Sequence, residues 1–205
     1  MQYSWNYDRS KTVCFSGHRP EKLPDCGNTS SIKMRGILSM LYYEIQESIH
    51  QGYDTFIIGG ARGIDLWAAE FIMQQKYQGK DINLVAALPY RNFGANYKGS
   101  DLFLRGNALN TASQIINVSE TYSSDCYSKR NQFMIDHSSR LIAVVSNYRS
   151  GTGQTIRYAQ KASIETRIIN ALRFSEMVDE SLSSDISIIE EETEIKNLIK
   201  VYYST

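Results

Sequence analysis

The chain has 205 residues, of which 42% are hydrophobic and 21% are charged, and its formal net charge is zero. This length suffices for one domain with a core of its own, and the composition is that of a folded rather than a disordered protein. Its apolar runs are far shorter than the ~20 residues that a membrane-spanning helix needs. The N-terminal residues also lack the apolar core of a signal peptide. We therefore expect a cytoplasmic protein with no membrane partner.

Cysteine and histidine are scarce and scattered along the chain. The three cysteines, Cys14, Cys26 and Cys126, form no Cys-x-x-Cys pair, and the three histidines have no metal-ligand spacing. A structural zinc site or a disulfide framework would need such groupings. We therefore expect no metal site and no resident cofactor.

Charge is distributed unevenly between the body and the C-terminal end. Residues 1–174 carry 20 basic and 14 acidic side chains, whereas residues 175–205 carry 2 and 8. This shift predicts a Rossmann-like domain over 1–174 and an acidic tail with a short helix over 175–205. An apolar stripe in the tail, Ile195, Leu198, Ile199 and Tyr202, either packs onto the body or forms a partner surface. The mildly basic body suits an anionic ligand.

From residue 12 onwards, apolar strand-like runs alternate with helix-like stretches. The strands are predicted at 12–16, 55–58, 82–88, 115–118, 141–145 and 167–172, and the helices at 31–51, 63–77, 101–113, 127–138 and 153–163. Continuously apolar strands that alternate with helices indicate a parallel sheet covered on both faces. We therefore predict an α/β, Rossmann-like three-layer sandwich with a mostly parallel sheet of central strands. The loop 90–100 is a candidate lid.

In open α/β sheets, ligands bind at the carboxyl ends of the strands, so the segments after each strand are the ones to search. After the first strand come Gly17, His18 and Arg19, which offer a tight turn and a cation. The fifth strand is followed by a helix start rich in glycine and hydroxyl groups, with Gly151, Thr152 and Thr155. Each segment alone also fits a plain turn or a helix cap. Together they predict a phosphate-binding cradle.

The second strand ends in a glycine-rich loop that opens a helix directly. Its residues are Gly59, Gly60, Ala61, Arg62 and Gly63. Uncovered amides at a helix N-terminus favour anions. A plain turn would need one glycine, and we therefore interpret the three as a ligand-binding loop.

Further along the chain, four more side chains are candidates for the site. Asp65, in the first turn of the same helix, either contacts the ligand or stabilises the helix dipole. Glu70 is a candidate general acid/base or ribose ligand. Arg130 and Asn131 either point into the cleft or lie on a solvated helix face.

These segments together resemble the SLOG superfamily, named for the Smf/DprA and Lonely Guy proteins, and within it the YpsA-type branch. The resembling stretches are Cys14–Pro20, Gly59–Glu70, Arg130–Asp136 and Gly151-Thr152, and they occur in the family's order. The resemblance implies a bacterial or phage protein with a Rossmann-like fold and a cleft for nucleotides or nucleotide-derived ligands.

The match to the Lonely Guy hydrolases departs at two positions. Those enzymes carry Pro-Gly-Gly-x-Gly-Thr-x-x-Glu and use the last glutamate in catalysis, whereas Thr155 stands at that place here. Asn131 likewise replaces the lysine of their Arg-Lys pair. Cleavage of an N-glycosidic bond needs an acid for the leaving base. The family motifs leave Glu70 and Asp136 as the candidate catalytic carboxylates.

Three functional hypotheses follow. The first is a binding protein for a nucleotide or an ADP-ribose-like ligand that acts as a sensor or regulator. The second is an N-glycosidase that acts on a nucleotide or nucleoside, and the third is an interaction protein with a vestigial cleft. No Lys/Arg-dense stretch with interleaved aromatic residues occurs, so we do not expect nucleic acid as a partner. Homo-oligomerisation stays open.

Overall fold

Short apolar runs form a six-stranded sheet at the centre of the molecule. The computed structural model describes residues 4–181 and 188–204. Within them, the strands are β1 (Thr12–Gly17), β2 (Thr55–Ile58), β3 (Asn83–Leu88), β4 (Gln114–Asn117), β5 (Arg140–Val145) and β6 (Glu165–Asn170). All pairs of neighbouring strands are parallel, and the strand order is β4-β3-β2-β1-β5-β6. From β1 to β4 each strand is added on one side of β1, whereas β5 and β6 are added on its other side. The strand order therefore reverses between β1 and β5.

Helices follow the strands and cover both faces of the sheet. They are α1 (Ile32–His50), α2 (Ile64–Tyr77), α3 (Gly99–Thr111), α4 (Cys126–Asp136), α5 (Gly151–Lys161), α6 (Ala171–Ser181) and α7 (Ile188–Ser204). Hydroxyl caps start two of them: Ser31 Oγ accepts from the Met34 amide, and Ser150 Oγ accepts from the Gly153 amide. None of the described helices is long and apolar enough to cross a membrane.

Successive side chains of a strand point to opposite faces, which divides the core into two. Phe15 of β1 packs in the cluster that α1, α2 and α6 cover, and Cys14 packs in the cluster under α4 and α5. The predicted α/β, Rossmann-like three-layer sandwich is therefore confirmed, with a sheet that is wholly parallel.

The expectation that every strand is central was wrong for the two edges. In β4, Ile115 is 46% exposed, and the first four positions of β6 alternate between exposed and partly buried, although Ile169 is buried. An edge strand has only one hydrogen-bonded neighbour and a less complete helical cover. β6 also ends two residues early, because Ala171 and Leu172 already begin α6.

The C-terminal end packs onto the body, and the predicted boundary between 174 and 175 lies inside α6. Phe174, Ser175 and Val178 are all buried on that helix. In α7, Leu198 and Tyr202 belong to the core cluster, so the stripe in the tail packs inward. Residues 182–187 and 205 of the predicted tail lie outside the described residues.

The acidic charge of the tail faces the basic side of α1. Lys33 Nζ lies 2.7 Å from Asp179 Oδ1, and Arg35 Nη1 lies 2.9 Å from Glu191 Oε2. Farther along α1, Glu44 accepts a hydrogen bond at 3.0 Å from the hydroxyl of Tyr203, near the end of α7. α7 therefore runs beside α1 in the same direction. Acidic residues that are concentrated near the C-terminal end of the sequence thus form ion pairs with basic residues of α1 in the fold.

Candidate functional site

A cleft opens where the strand order reverses, between the carboxyl ends of β1 and β5 and beside that of β2. Its cavity has a volume of about 250 Å³. Nine of the predicted site residues line it: Gly17, His18, Arg19, Ala61, Asp65, Arg130, Asn131, Gly151 and Thr152. Phe15, Ser16, Lys22, Tyr127 and Ser150 complete the lining. The crevice at such a reversal is the usual ligand position in open parallel sheets.

A buried ion pair forms one wall of the cleft. Arg130 Nη1 lies 3.7 Å from Asp65 Oδ2 and donates to the Gly59 carbonyl, while Arg130 Nε donates to Asn131 Oδ1 at 2.8 Å. Burial raises the pKa of the Asp65 carboxyl, and the Arg130 charge opposes that rise. No described residue accepts from Arg130 Nη2, which therefore stays available to a ligand. Both side chains are buried, although helix spacing alone favoured a solvated face for Arg130.

The glycines of the loop after β2 have steric causes within the protein. A side chain at Gly59 would overlap the Arg130 guanidinium. Gly60 and Gly63 have φ angles of 71° and 83°, and a Cβ on Gly63 would lie 2.7 Å from the His18 carbonyl oxygen. None of the three lines the cleft. Packing and backbone conformation therefore give these glycines a structural reason, and their role in ligand binding stays a prediction.

His18 joins the two loops on either side of the strand reversal. Its side chain is buried, and its Nε2 accepts from the Asn147 amide at 3.2 Å. Burial lowers the pKa of the imidazole, and the nearby Lys22 charge lowers it further. His18 is therefore neutral at pH 7, with its proton on Nδ1, and it fixes the mouth of the cleft.

Unpaired positive groups collect in the same cleft. Arg19 and Lys22 are exposed, and neither forms an ion pair among the described residues. The amides of Gly151 and Thr152, in the first turn of α5, have no acceptor in the described part of the chain. Ser150 Oγ already satisfies the Gly153 amide. Such amides together with mobile cations favour an anion.

The two candidate catalytic carboxylates do not lie in the cleft. Glu70 is partly buried in the second turn of α2 and lines no described part of the cavity. Asp136 is the exposed last residue of α4, and its carboxylate accepts from Gln132 Nε2 at 2.7 Å. Its carbonyl accepts from Arg9 Nε, just before β1 begins. The family motifs did not show where on their helices these carboxylates lie relative to the cleft, and a catalytic role for either stays a prediction.

Two of the predicted binding residues are likewise used elsewhere. Thr155 is buried, and its hydroxyl donates to the Gly151 carbonyl at 3.0 Å inside α5. Arg62 forms ion pairs with Glu21 and, at 3.0 Å from Nε to Oδ2, with Asp101. Neither residue lines the cleft.

A second cavity of about 380 Å³ adjoins the cleft beyond the ends of β3 and β2, and sequence analysis did not identify it. Arg19 and Tyr127 line both cavities. The rings of Tyr90, Phe93 and Tyr97 line the second cavity, within the loop that was predicted as a lid. Three aromatic residues in the loop after β3 could have indicated this cavity from the sequence. Its fourth ring, Tyr127, comes from a different segment, α4, and could not have been assigned to it.

The comparison with protein families agrees with this architecture. The family model for YpsA, described as the YspA SLOG family, matches residues 13–177. The chain belongs to this SLOG family. This confirms the family resemblance that the sequence motifs indicated.

Two similar proteins come from bacteria of the genus Bacillus. The chain is 31% identical over 118 residues to the SPβ prophage-derived protein YoqJ of Bacillus subtilis, covering 52% of this chain and 69% of that protein. It is 25% identical over 186 residues to a UPF0398 protein of Bacillus cereus (strain B4264), covering 89% and 96%.

Two solved structures of DNA processing protein A share the fold. The Helicobacter pylori protein, whose structure is described as showing a single-stranded DNA binding mode, aligns with a TM-score of 0.52 at 18% identity, covering 93% of this chain and 80% of that one. The Streptococcus pneumoniae protein aligns with a TM-score of 0.51 at 14% identity, covering 89% of this chain and 61% of that one. At such identities the likeness concerns the fold alone.

Proposed function

We propose that this SLOG protein binds a nucleotide or a nucleotide derivative of the ADP-ribose type in the cleft and acts as a sensor or regulator. One observation carries the proposal: unpaired Arg19 and Lys22 and the acceptor-free amides of Gly151 and Thr152 line one cavity at the strand reversal. A phosphate group would satisfy all four. The cavity of about 250 Å³ has the size of a small-molecule site rather than of a macromolecular interface.

A binding role fits the cleft better than the N-glycosidase alternative. Asp65 is the carboxylate that lines the described cavity, and it is engaged by Arg130 and by the Ala61 amide at 3.1 Å. Asp65 Oδ2 is thus occupied as an acceptor within the wall of the cleft. Glu70 and Asp136, the carboxylates that the N-glycosidase hypothesis assigned as the acid for the leaving base, both lie outside the cleft.

Single-stranded DNA is a second candidate ligand, and the fold comparison favours it. The Helicobacter pylori neighbour is described as binding single-stranded DNA, which weighs against our expectation that nucleic acid is not a partner. Exposed aromatic rings such as Tyr122, which is 64% exposed, are of the type on which bases stack. A strand would require a groove that continues beyond the cleft, whereas a nucleotide would not.

Calorimetric titration distinguishes these ligands. We expect AMP or ADP-ribose to bind more tightly than oligothymidylate at equal ionic strength. Arg19→Ala should weaken nucleotide binding by about 10- to 150-fold, because it removes a charge-assisted bond. The matched control is Lys80→Ala, an exposed cation in the turn before β3, which should leave binding unchanged.

Each other outcome has a defined meaning. Failure of every nucleotide to bind would leave a vestigial cleft and overturn the proposal. Tighter binding of oligothymidylate would favour the DNA candidate. Release of free base from AMP, followed by chromatography, would establish the hydrolase.

A further inference from the structure

We propose that the second cavity, beyond the ends of β3 and β2, is the subsite for the nucleobase of the ligand, and this rests on the function proposed above. The cleft offers cations and amides, whereas the neighbouring cavity is lined by aromatic rings. Arg19 and Tyr127 line both cavities, so a ligand that passes between them has its anionic end in the first cavity and its planar end in the second.

Four aromatic side chains surround the proposed subsite. Phe93 lies between its neighbours, with ring centroids 5.5 Å from Tyr90, 6.1 Å from Tyr97 and 5.8 Å from Tyr127. All three contacts are edge-on. Tyr90, Tyr97 and Tyr127 are only partly buried and line the cavity, so their aromatic surface is accessible to a base.

The loop that carries these rings is held in place before any ligand binds. Arg105 donates to the Phe93 carbonyl from both Nε, at 3.0 Å, and Nη2, at 2.7 Å. The Tyr97 hydroxyl donates to the Gly60 carbonyl at 3.4 Å, which ties the loop to the end of β2. Because the loop is already fixed, it does not have to become ordered when a planar group binds. The entropic cost of binding is therefore smaller.

Polar side chains at the rim of the same cavity supply partners for the edge of a base. Asn96 and Lys98 are exposed there, and Asp101 is held by its ion pair with Arg62. An amide, an amine and a carboxylate offer both donors and acceptors. Ring faces combined with such groups are the elements by which proteins bind nucleobases. A lipid or a bare phosphate would use neither.

The experiment compares AMP with ribose 5-phosphate by calorimetry on the full chain. The two ligands share the sugar and the phosphate and differ in the base. We expect AMP to bind about 5- to 150-fold more tightly, the range for stacking of one base on an aromatic side chain. Tyr97→Ala should remove most of that advantage and leave the affinity for ribose 5-phosphate unchanged, whereas Tyr97→Phe should keep it.

The matched control is Tyr122→Ala. Tyr122 contacts Tyr90 and Tyr127 at centroid distances of 5.7 and 6.4 Å but does not line the cavity, so the preference for AMP should survive. Equal affinity of the wild-type chain for AMP and ribose 5-phosphate would overturn the base subsite and leave the phosphate site intact. Failure of both ligands to bind would instead overturn the proposed function. Equal losses in Tyr97→Ala and Tyr122→Ala would also contradict the subsite.

Discussion

Two arginines, Arg140 at the amino end of the sheet and Arg19 at its carboxyl end, are held in different ways. At the amino end, Arg140 has every nitrogen bonded: Nε and Nη2 to Glu165, Nη1 to Ser48 and Nη2 also to Gln51. At the carboxyl end, Arg19 has no ion-pair partner among the described residues. A charge that the protein itself satisfies stabilises the fold, whereas one left open is available to a ligand. We therefore assign a structural role to Arg140 at the amino end and a binding role to Arg19 at the carboxyl end.

Removal of the C-terminal helices tests the structural end most severely. A chain ending at Phe174 loses the buried side chains of Val178, Ile195, Leu198 and Tyr202. At about 1.5–3 kcal/mol for each buried side chain, the loss is comparable to the whole stability of a domain. We expect this truncated chain to be unfolded by circular dichroism. A cooperative melt near that of the full chain would instead support the boundary at 174 that the composition predicts.

Arg140→Met tests the satisfied arginine. We expect the free energy of unfolding to fall by about 3 kcal/mol, the lower end of the range for a broken buried pair, because Glu165 is partly exposed. Arg167→Met is the matched control, since Arg167 is 44% exposed and pairs with the same Glu165 at 2.7 Å. It should cost less than about 1 kcal/mol. Urea denaturation measures both, and unchanged nucleotide affinity in Arg140→Met would sharpen the division between the two ends.

Gly151→Asp tests the open end. An added Cβ at Gly151 meets no atom within 4 Å, so the residue can be changed without a clash. A carboxylate in the first turn of α5 should stabilise the helix by about 0.3–1 kcal/mol and repel an anionic ligand. We expect a slightly raised melting temperature together with the loss of measurable AMP binding. Gly151→Asn, which has the same shape without the charge, should retain more of the affinity.

A smaller effect is expected from the pH dependence of His18. Because burial lowers its pKa below the ordinary value of 6.5, the unfolded chain takes up a proton before the folded one does. Stability should therefore be unaffected above pH 6.5 and fall as the pH drops below it. His18→Gln keeps an acceptor for the Asn147 amide and should flatten this part of the profile. If the free energy of unfolding depended on pH between 7 and 5 in the same way in His18→Gln as in the wild-type chain, a buried neutral histidine would be contradicted.

The fold was more accessible from the sequence than the site was. Apolar runs and helix periodicity placed each strand and helix between 12 and 172 within about two residues, because burial imposes those patterns locally. The site depends on which segments meet. The spacing of Arg130 could not reveal its burial against Gly59. Asp136 shares a motif with Arg130, yet it lies at the C-terminal end of α4, outside the cleft. Tyr127 and the rings after β3 meet only in three dimensions.

At the centre of the sheet, β1 pairs with β5 across the longest intervening stretch of chain of any neighbouring strands, with Val13 opposite Arg140. Closing so long a loop is slow and entropically costly, so this seam is expected to form last during folding. The cleft lies across the same seam, with Gly17 on one side and Gly151 on the other. A bound ligand would contact both halves of the sheet and hold them together. The fraction of protein with ligand bound would then determine the rate at which the folded chain unfolds.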